Sequence, residues 1–149
     1  HMNAQIVEDS GGGRYMTMLL VAVDAVRREL RWVSAGHREP LLLEPGSAEF
    51  RQLQGADIPL GVMAEAQYQE QVFQDLRPGQ LMLLATDGLW EAASSAGEPF
   101  GLARLGAVMP DHGHQGAQDI CAAIALNVLE FCGTMAQRDD ISFVIIKVV

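Results

Sequence analysis

The chain has 149 residues, of which 49% are hydrophobic, and a formal net charge of −9. This length supports a substantial hydrophobic core and is short for two domains. The negative charge predicts that the protein binds neither nucleic acid nor anionic membranes, since both repel an acidic surface. No apolar run approaches the roughly 20 residues that a transmembrane helix needs, so no membrane insertion is expected in this segment.

The first half of the chain predicts strands that follow a polar lead-in. His1 and Met2 have the form of a tag remnant, and residues 1–13, which end in three glycines, are expected to be a flexible lead-in without a useful helix. A single domain is expected over residues 14–149. Apolar runs and alternation between turn residues predict strands over 14–26, 30–35, 40–43, 50–53, 68–76 and 80–85.

The second half changes to a helical period. Residues 101–109 can form a short helix, residues 110–116 are expected to form a loop, and residues 117–131 place apolar side chains along one helical stripe. Gly133 is expected to end this helix, and an almost continuous apolar run predicts a strand over 141–149. Antiparallel strands followed by helices predict an α+β fold of two stacked sheets with helices outside them.

Two predicted strands carry carboxylates at one end. The apolar run 81–85 predicts a strand buried on both faces, and it ends at Asp87, with Gly88 behind it to allow a sharp turn. Asp139 and Asp140 directly precede the last strand. Carboxylates brought together at one pole of a sheet structure suit Mg²⁺ or Mn²⁺ rather than zinc. The alternative interpretation is that Asp-Gly is only a turn signal and Asp139 a charge at a strand edge.

Two further groups of side chains are expected to be structural. Cys121 and Cys132 lie on one predicted helix at a separation too large for a disulfide, so both are expected to pack in the core as free thiols of a reducing, cytoplasmic compartment. His112 and His114 lie with Asp111 in a glycine-flanked loop without a fourth ligand, so no zinc site is expected there.

Seven short motifs occur in a fixed order along the chain. They are Arg14-Tyr15-Met16-Thr17, Ala35-Gly36-His37, Ile58-Pro59-Leu60-Gly61, Arg77-Pro78-Gly79, Thr86-Asp87-Gly88-Leu89-Trp90-Glu91, Phe100-Gly101 and Asp139-Asp140-Ile141-Ser142. In this order they resemble the metal-dependent serine/threonine phosphatases (PPM family), in the bacterial SpoIIE/RsbU-like branch, over residues 14–149. The resemblance implies an α-β-β-α sandwich of two mainly antiparallel sheets flanked by helices, and a protein serine/threonine phosphatase activity.

The resemblance also implies roles for individual residues. Asp87 and Asp139 match metal-binding, catalytic aspartates, and Asp140 occupies the next position as a further candidate ligand. The implied cofactors are two Mn²⁺ or Mg²⁺ ions, and the implied reaction is attack of a metal-bridging water on a phosphomonoester. Gly88 and His37 are candidate substrate contacts, although a structural hydrogen bond at a strand end is the favoured interpretation of His37.

The family suggests a substrate and a native setting. The expected substrate is a phosphorylated regulatory protein of the anti-anti-sigma type, and the expected setting is a bacterial response-regulator-type signalling protein with a sensor or receiver domain upstream. The alternative is a pseudophosphatase, an adaptor that binds a partner of the sigma-factor pathway without catalysis. The presence of Asp87 and Asp139 favours the enzyme, because an adaptor has no physical need for them.

The resemblance does not extend to the beginning of the family's domain. The family begins with strands that carry a further metal-bridging Asp and with helices that cover one sheet, and no such pattern precedes Gly11. The chain is therefore expected to be the C-terminal part of a catalytic domain and to be inactive or nearly so alone. Strands around residues 16–26 are then expected to expose apolar side chains, which predicts self-association as a two-fold homodimer.

Overall fold

The computed structural model describes residues 1–11, 13–134 and 139–149, and the side chains of residues 110 and 111 lie outside this description. Two compact units are formed. Unit 1 consists of His1–Glu39 and Leu53–Leu76, and unit 2 consists of Pro40–Gln52 and Arg77–Val149. The single domain predicted over 14–149 stays a prediction.

The described residues form helices and two mainly antiparallel sheets, which confirms the α+β class. In chain order the elements are α1 (Met2–Ser10), β1 (Met18–Asp24), β2 (Glu29–Ala35), β3 (Leu41–Leu43), β4 (Phe50–Gln52), β5 (Ala56–Asp57), β6 (Gln71–Phe73), β7 (Leu81–Ala85), α2 (Gly88–Glu91), α3 (Gly101–His112), α4 (Ala117–Cys132) and β8 (Phe143–Lys147). Within this description no helix has the length and apolar character that a membrane crossing requires.

The sheet of unit 1 is centred on β2. This strand pairs with β1 and β6 in antiparallel fashion and with β5 in parallel fashion. Leu30, Trp32 and Ser34, on one face of β2, are all buried. Their spacing of two residues follows from the alternation of side chains along a strand. The neighbouring β1 lies at an edge of the sheet, and its Leu20 is 60% exposed.

A helix precedes the glycines at residues 11–13, so the prediction of a lead-in without a useful helix is wrong. α1 is held by Asn3, which is 8% exposed. The Asn3 side-chain amide donates to the carbonyl oxygens of Met63 at 2.8 Å and Ala64 at 3.2 Å, and its oxygen accepts from the Gly61 N–H at 2.9 Å. These partners lie about 60 residues away in sequence, and therefore no local pattern could predict them.

The sheet of unit 2 has the order β4-β3-β7-β8, with every pair antiparallel. On one face of β7, Leu81 and Leu83 join a core cluster that includes Leu105 of α3 and Ile124 of α4. Met82, on the other face, is 0% exposed. The prediction of a strand buried on both faces is confirmed for β7.

The helices of unit 2 follow the predicted positions with one correction. α3 begins at Gly101 as predicted but runs to His112, so the loop predicted over 110–116 begins too early. The last turn closes with a hydrogen bond from the Gly113 N–H to the Met109 carbonyl at 2.7 Å. Gly133 ends α4 as predicted, with a φ of 59° and its N–H donating to the carbonyl of Leu129.

Candidate active site

The two carboxylate-bearing segments lie side by side at one end of the β7–β8 ladder. The last paired residues of the two strands are Ala85 and Phe143. The ladder continues for one more bond, from the Thr86 N–H to the Ser142 carbonyl at 2.9 Å. Asp87 therefore follows β7 at the same edge of the sheet at which residues 139 and 140 precede β8.

Gly88 brings the two segments into close contact. A Cβ atom at this position would lie 2.5 Å from the Asp140 carbonyl oxygen, which is far inside normal contact distance. The residue 88 backbone is helical, and its φ lies outside the left-handed region. The sequence interpretation of Gly88 as a residue that permits a sharp turn is therefore incomplete: glycine is needed for the close approach of the Asp140 backbone.

Asp87 is held by its backbone while its side chain remains exposed. Its carbonyl accepts hydrogen bonds from the N–H groups of Trp90 at 3.1 Å and Glu91 at 3.0 Å as α2 begins. Leu89 and Trp90 are buried in the core cluster of unit 2 and anchor this short helix. The structure records no hydrogen bond to the Asp87 carboxylate among the residues it describes. The position of the backbone is thus fixed while the carboxylate faces solvent.

The segment before β8 presents two exposed residues, Asp139 and Asp140. The Asp139 Oδ1 accepts a hydrogen bond from the Asp140 N–H at 2.8 Å, a local contact within this segment. Carboxylate oxygens are the donor type that Mn²⁺ and Mg²⁺ prefer, so the chemistry of these side chains fits the predicted ions. Among the described residues, no group of three or more His, Cys, Asp or Glu side chains is placed to hold an ion. The assignment of Asp87, Asp139 and Asp140 as ligands stays a prediction.

His37 belongs to unit 1, at the end of β2. Its main-chain carbonyl accepts a hydrogen bond from the Ser34 hydroxyl at 2.5 Å. The preceding Gly36 has a φ of 68°, and a Cβ there would lie 2.4 Å from the Pro59 side chain. The Ala35-Gly36-His37 motif therefore shapes the backbone at this strand end, and a substrate contact by His37 stays a prediction.

Two side chains of unit 1 have pKa values above their ordinary range. The pKa of Tyr68 is raised mainly by burial and also by the negative charge of Asp57. The pKa of Arg31 is raised first by its hydrogen bond to Glu29 and then by the charge of Glu70. Both shifts favour the ordinary protonation state near neutral pH, so neither side chain is expected to change its charge there.

The remaining candidates lie in unit 2. Cys121 and Cys132 are free thiols on α4, and both pack against the core cluster, as predicted. The His112 Nδ1 lies 3.1 Å from the Gln115 Oε1, and His114 is exposed. The Asp111 side chain lies outside the described residues, and the absence of a zinc site at this loop stays a prediction.

Sequence reasoning missed Thr86 as part of the site. Its hydroxyl accepts a hydrogen bond from the Ser142 N–H at 3.1 Å and lies 3.2 Å from the Asp140 carbonyl oxygen. The available signal was a hydroxyl residue directly before Asp-Gly at the end of a buried strand. A hydroxyl there can bond across the ladder, but its partners became evident only once the register of β7 and β8 was known.

Comparison with known proteins identifies the family. A sequence model of the family described as stage II sporulation protein E (SpoIIE) matches residues 1–149. The phosphoserine phosphatase RsbP of Bacillus subtilis (strain 168) is 23% identical over 148 residues, which are 99% of this chain and 34% of RsbP. The chain therefore spans about a third of that relative.

The fold is also similar to those of solved phosphatase domains. The SiaA-PP2C domain of Pseudomonas aeruginosa has a TM-score of 0.77 and 27% identity, over 98% of this chain and 58% of that chain. The phosphatase domain of SpoIIE from Bacillus subtilis, presoaked with Mn, has a TM-score of 0.63 and 19% identity, over 89% of this chain and 56% of that chain. The chain belongs to the family described as stage II sporulation protein E, as the order of its motifs suggested, and it has the fold of the PP2C phosphatase domains that it resembles.

Proposed function

We propose that the protein hydrolyses phosphoserine or phosphothreonine on a regulatory protein, with the segments at Asp87 and Asp139 as its catalytic centre. The observation that carries this proposal is the close approach of these two segments, seen where a Cβ on Gly88 would overlap the Asp140 carbonyl. RsbP, a relative over nearly the whole chain, is a phosphoserine phosphatase, which supports this substrate class. We further assign the substrate to the anti-anti-sigma type and the protein to a cytoplasmic, response-regulator-type signalling pathway.

Asp87 and Asp139 are the residues that would hold Mn²⁺ or Mg²⁺, with Asp140 beside them. When bound, such ions supply an acidified water as nucleophile and offset charge on the phosphoryl oxygens. The chain itself contributes by positioning the Asp87 carboxylate. The buried strand β7 and the anchored helix α2 fix the backbone at Asp87. The Asp87 carboxylate makes no capping hydrogen bond to α2, so its oxygens are open to an ion.

The chain alone is proposed to have little activity. Asp87 and Asp139 together provide two carboxylates for two dications, which predicts weak binding. The chain also spans 34% of RsbP and 58% of the SiaA-PP2C chain, so the activity of a whole protein of this family requires a test on the natural full-length polypeptide.

The test compares that polypeptide with two variants in Mn²⁺-dependent hydrolysis of a phosphoserine protein and of p-nitrophenyl phosphate. Asp139→Ala should lower kcat/KM by a factor of at least about a hundred, because a ligand that stabilises transition-state charge is lost. Asp119→Ala is the matched control, since Asp119 is exposed on α4 and should leave the rate unchanged. A wild type without turnover on any phosphoprotein would favour the adaptor alternative.

We also propose that the chain forms a two-fold homodimer through β1. Within the described residues this strand pairs with β2 on one side, and it exposes Leu20 and Val23 by 60% and 48%. Exposed apolar edge strands recruit other strands. Light scattering should give twice the 16.1 kDa mass, and Leu20→Lys, which places a charge on the edge, should give the monomer. A monomeric wild type across the micromolar range contradicts the proposal.

A further inference from the structure

The Thr86 hydroxyl replaces a main-chain acceptor where the β7–β8 ladder ends. Opposite residues in an antiparallel pair can exchange two main-chain hydrogen bonds. The Thr86 N–H donates to the Ser142 carbonyl at 2.9 Å, but the Thr86 carbonyl accepts from the Leu89 N–H at 3.2 Å as the chain turns into α2. The return bond from the Ser142 N–H therefore goes to the Thr86 Oγ1, at 3.1 Å.

The same hydroxyl reaches the carboxylate-bearing segment. The Thr86 Oγ1 lies 3.2 Å from the Asp140 carbonyl oxygen and 3.4 Å from that of Ser142, and its single proton can be donated to one of them at a time. Gly88 also packs against the Asp140 carbonyl oxygen, so closely that a Cβ atom at residue 88 would not fit. The backbone of residues 140–142 is thus held by the main-chain N–H of Thr86, by its hydroxyl and by close packing on Gly88.

We propose that Thr86 is a positioning residue, whose hydroxyl sets the position of Asp139 and Asp140 relative to Asp87. The consequence for ion binding rests on the proposed function, whereas the consequence for the backbone does not. Ser142 is exposed and Thr86 is half-buried, so water can replace the lost hydrogen bonds. Removal of the hydroxyl should therefore loosen the segment while stability changes little.

The test uses three variants of the chain. Thr86→Val keeps the shape of the side chain and removes the hydroxyl, Thr86→Ser keeps the hydroxyl, and Thr17→Val is the control at an exposed threonine of unit 1. Two quantities are measured: the hydrogen-exchange rate of the Ser142 amide without metal, and the Mn²⁺ dissociation constant by calorimetry. Thermal unfolding of each variant checks that the fold is retained.

Thr86→Val should speed exchange of the Ser142 amide about tenfold, as expected for one lost hydrogen bond. It should also weaken Mn²⁺ binding about tenfold, the lower end of effects seen when a group that orients metal ligands is removed. Thr86→Ser and Thr17→Val should stay within about twofold of the wild type in both measurements.

The serine variant separates positioning from a general structural role. If Thr86→Ser behaves like Thr86→Val, or if Thr86→Val leaves Ser142 exchange unchanged, the proposal is wrong. If the wild-type chain binds no Mn²⁺, the predicted ion binding by this chain is wrong, and the Ser142 exchange rate alone then decides on Thr86. Unchanged Mn²⁺ affinity in Thr86→Val, with binding intact in the wild type, also overturns the positioning role.

Discussion

The two ends of β7 use polar side chains in opposite ways. At its start, Gln80 is 2% exposed, its Oε1 accepts from the Arg77 N–H at 2.8 Å, and its Nε2 donates to the Glu44 carboxylate at 3.0 and 3.1 Å. At its end, Asp87 is exposed, and its carboxylate has no recorded hydrogen bond within the described residues. One end satisfies its polar groups internally, whereas the other leaves a carboxylate available to a ligand.

The partner strand β8 also has an internally bonded polar side chain, at the same end of the ladder as Gln80. Lys147, at the end of β8 and opposite Leu81, donates its ammonium protons to the carbonyl oxygens of Gly113 at 3.0 Å and Gln115 at 2.5 Å. Those carbonyls follow the C-terminal end of α3, where a cation is favourable. The comparison teaches that a polar residue at a strand end can be structural, as Gln80 and Lys147 are, so its type alone does not indicate function.

The larger stability effect is expected at the buried end. Gln80→Ala removes three hydrogen bonds, and the Arg77 N–H and the Glu44 carboxylate must then form hydrogen bonds with water instead. We expect it to lower the free energy of unfolding by about 1–2 kcal/mol, and the melting temperature by roughly 3–6 °C. Mn²⁺ affinity should be unchanged, because Gln80 lies at the opposite end of β7 from Asp87.

Gln67→Ala is the matched control for this change, since Gln67 is exposed. Its effect on unfolding should stay within about 0.5 kcal/mol. Denaturant unfolding of both variants checks the prediction. Equal midpoints for the two variants would contradict a stabilising role for the buried glutamine.

The smaller stability effect is expected at the exposed end. The double variant Asp87→Asn with Asp139→Asn should change the free energy of unfolding by no more than about 0.5 kcal/mol, because both residues are exposed and asparagine keeps an oxygen that can accept from the Asp140 N–H. The same unfolding experiment measures this effect. A loss as large as that for Gln80→Ala would mean that the aspartates stabilise the fold.

The sequence was sufficient to predict features that depend on local pattern. The apolar run 81–85 predicted a strand buried on both faces, and the Asp residues beyond β7 and before β8 predicted two segments at one pole. Free cysteines within α4 also followed from spacing along a helix. In each case the prediction depends on residues close together in sequence or on the spacing of side chains along one helix or strand.

Features that depend on distant contacts could not be predicted. α1 is stabilised by Asn3 hydrogen bonds to residues 61–64, and the end of α3 is bonded by Lys147, more than 30 residues later. The reason for Gly88 is likewise the carbonyl of Asp140, 52 positions later in the chain. Local reasoning assigned each of these positions from its neighbours alone, and so the lead-in, the 110–116 loop and the turn at Gly88 were incompletely interpreted.

The most direct test of the central claim is Mn²⁺ titration calorimetry of the chain beside the Asp87→Asn with Asp139→Asn double variant. The wild type should bind weakly, and the double variant should give only the heat of dilution while it unfolds at the same denaturant concentration as the wild type. Identical Mn²⁺ heats for the two proteins would contradict the claim that the exposed end of β7 is the metal-binding, catalytic end.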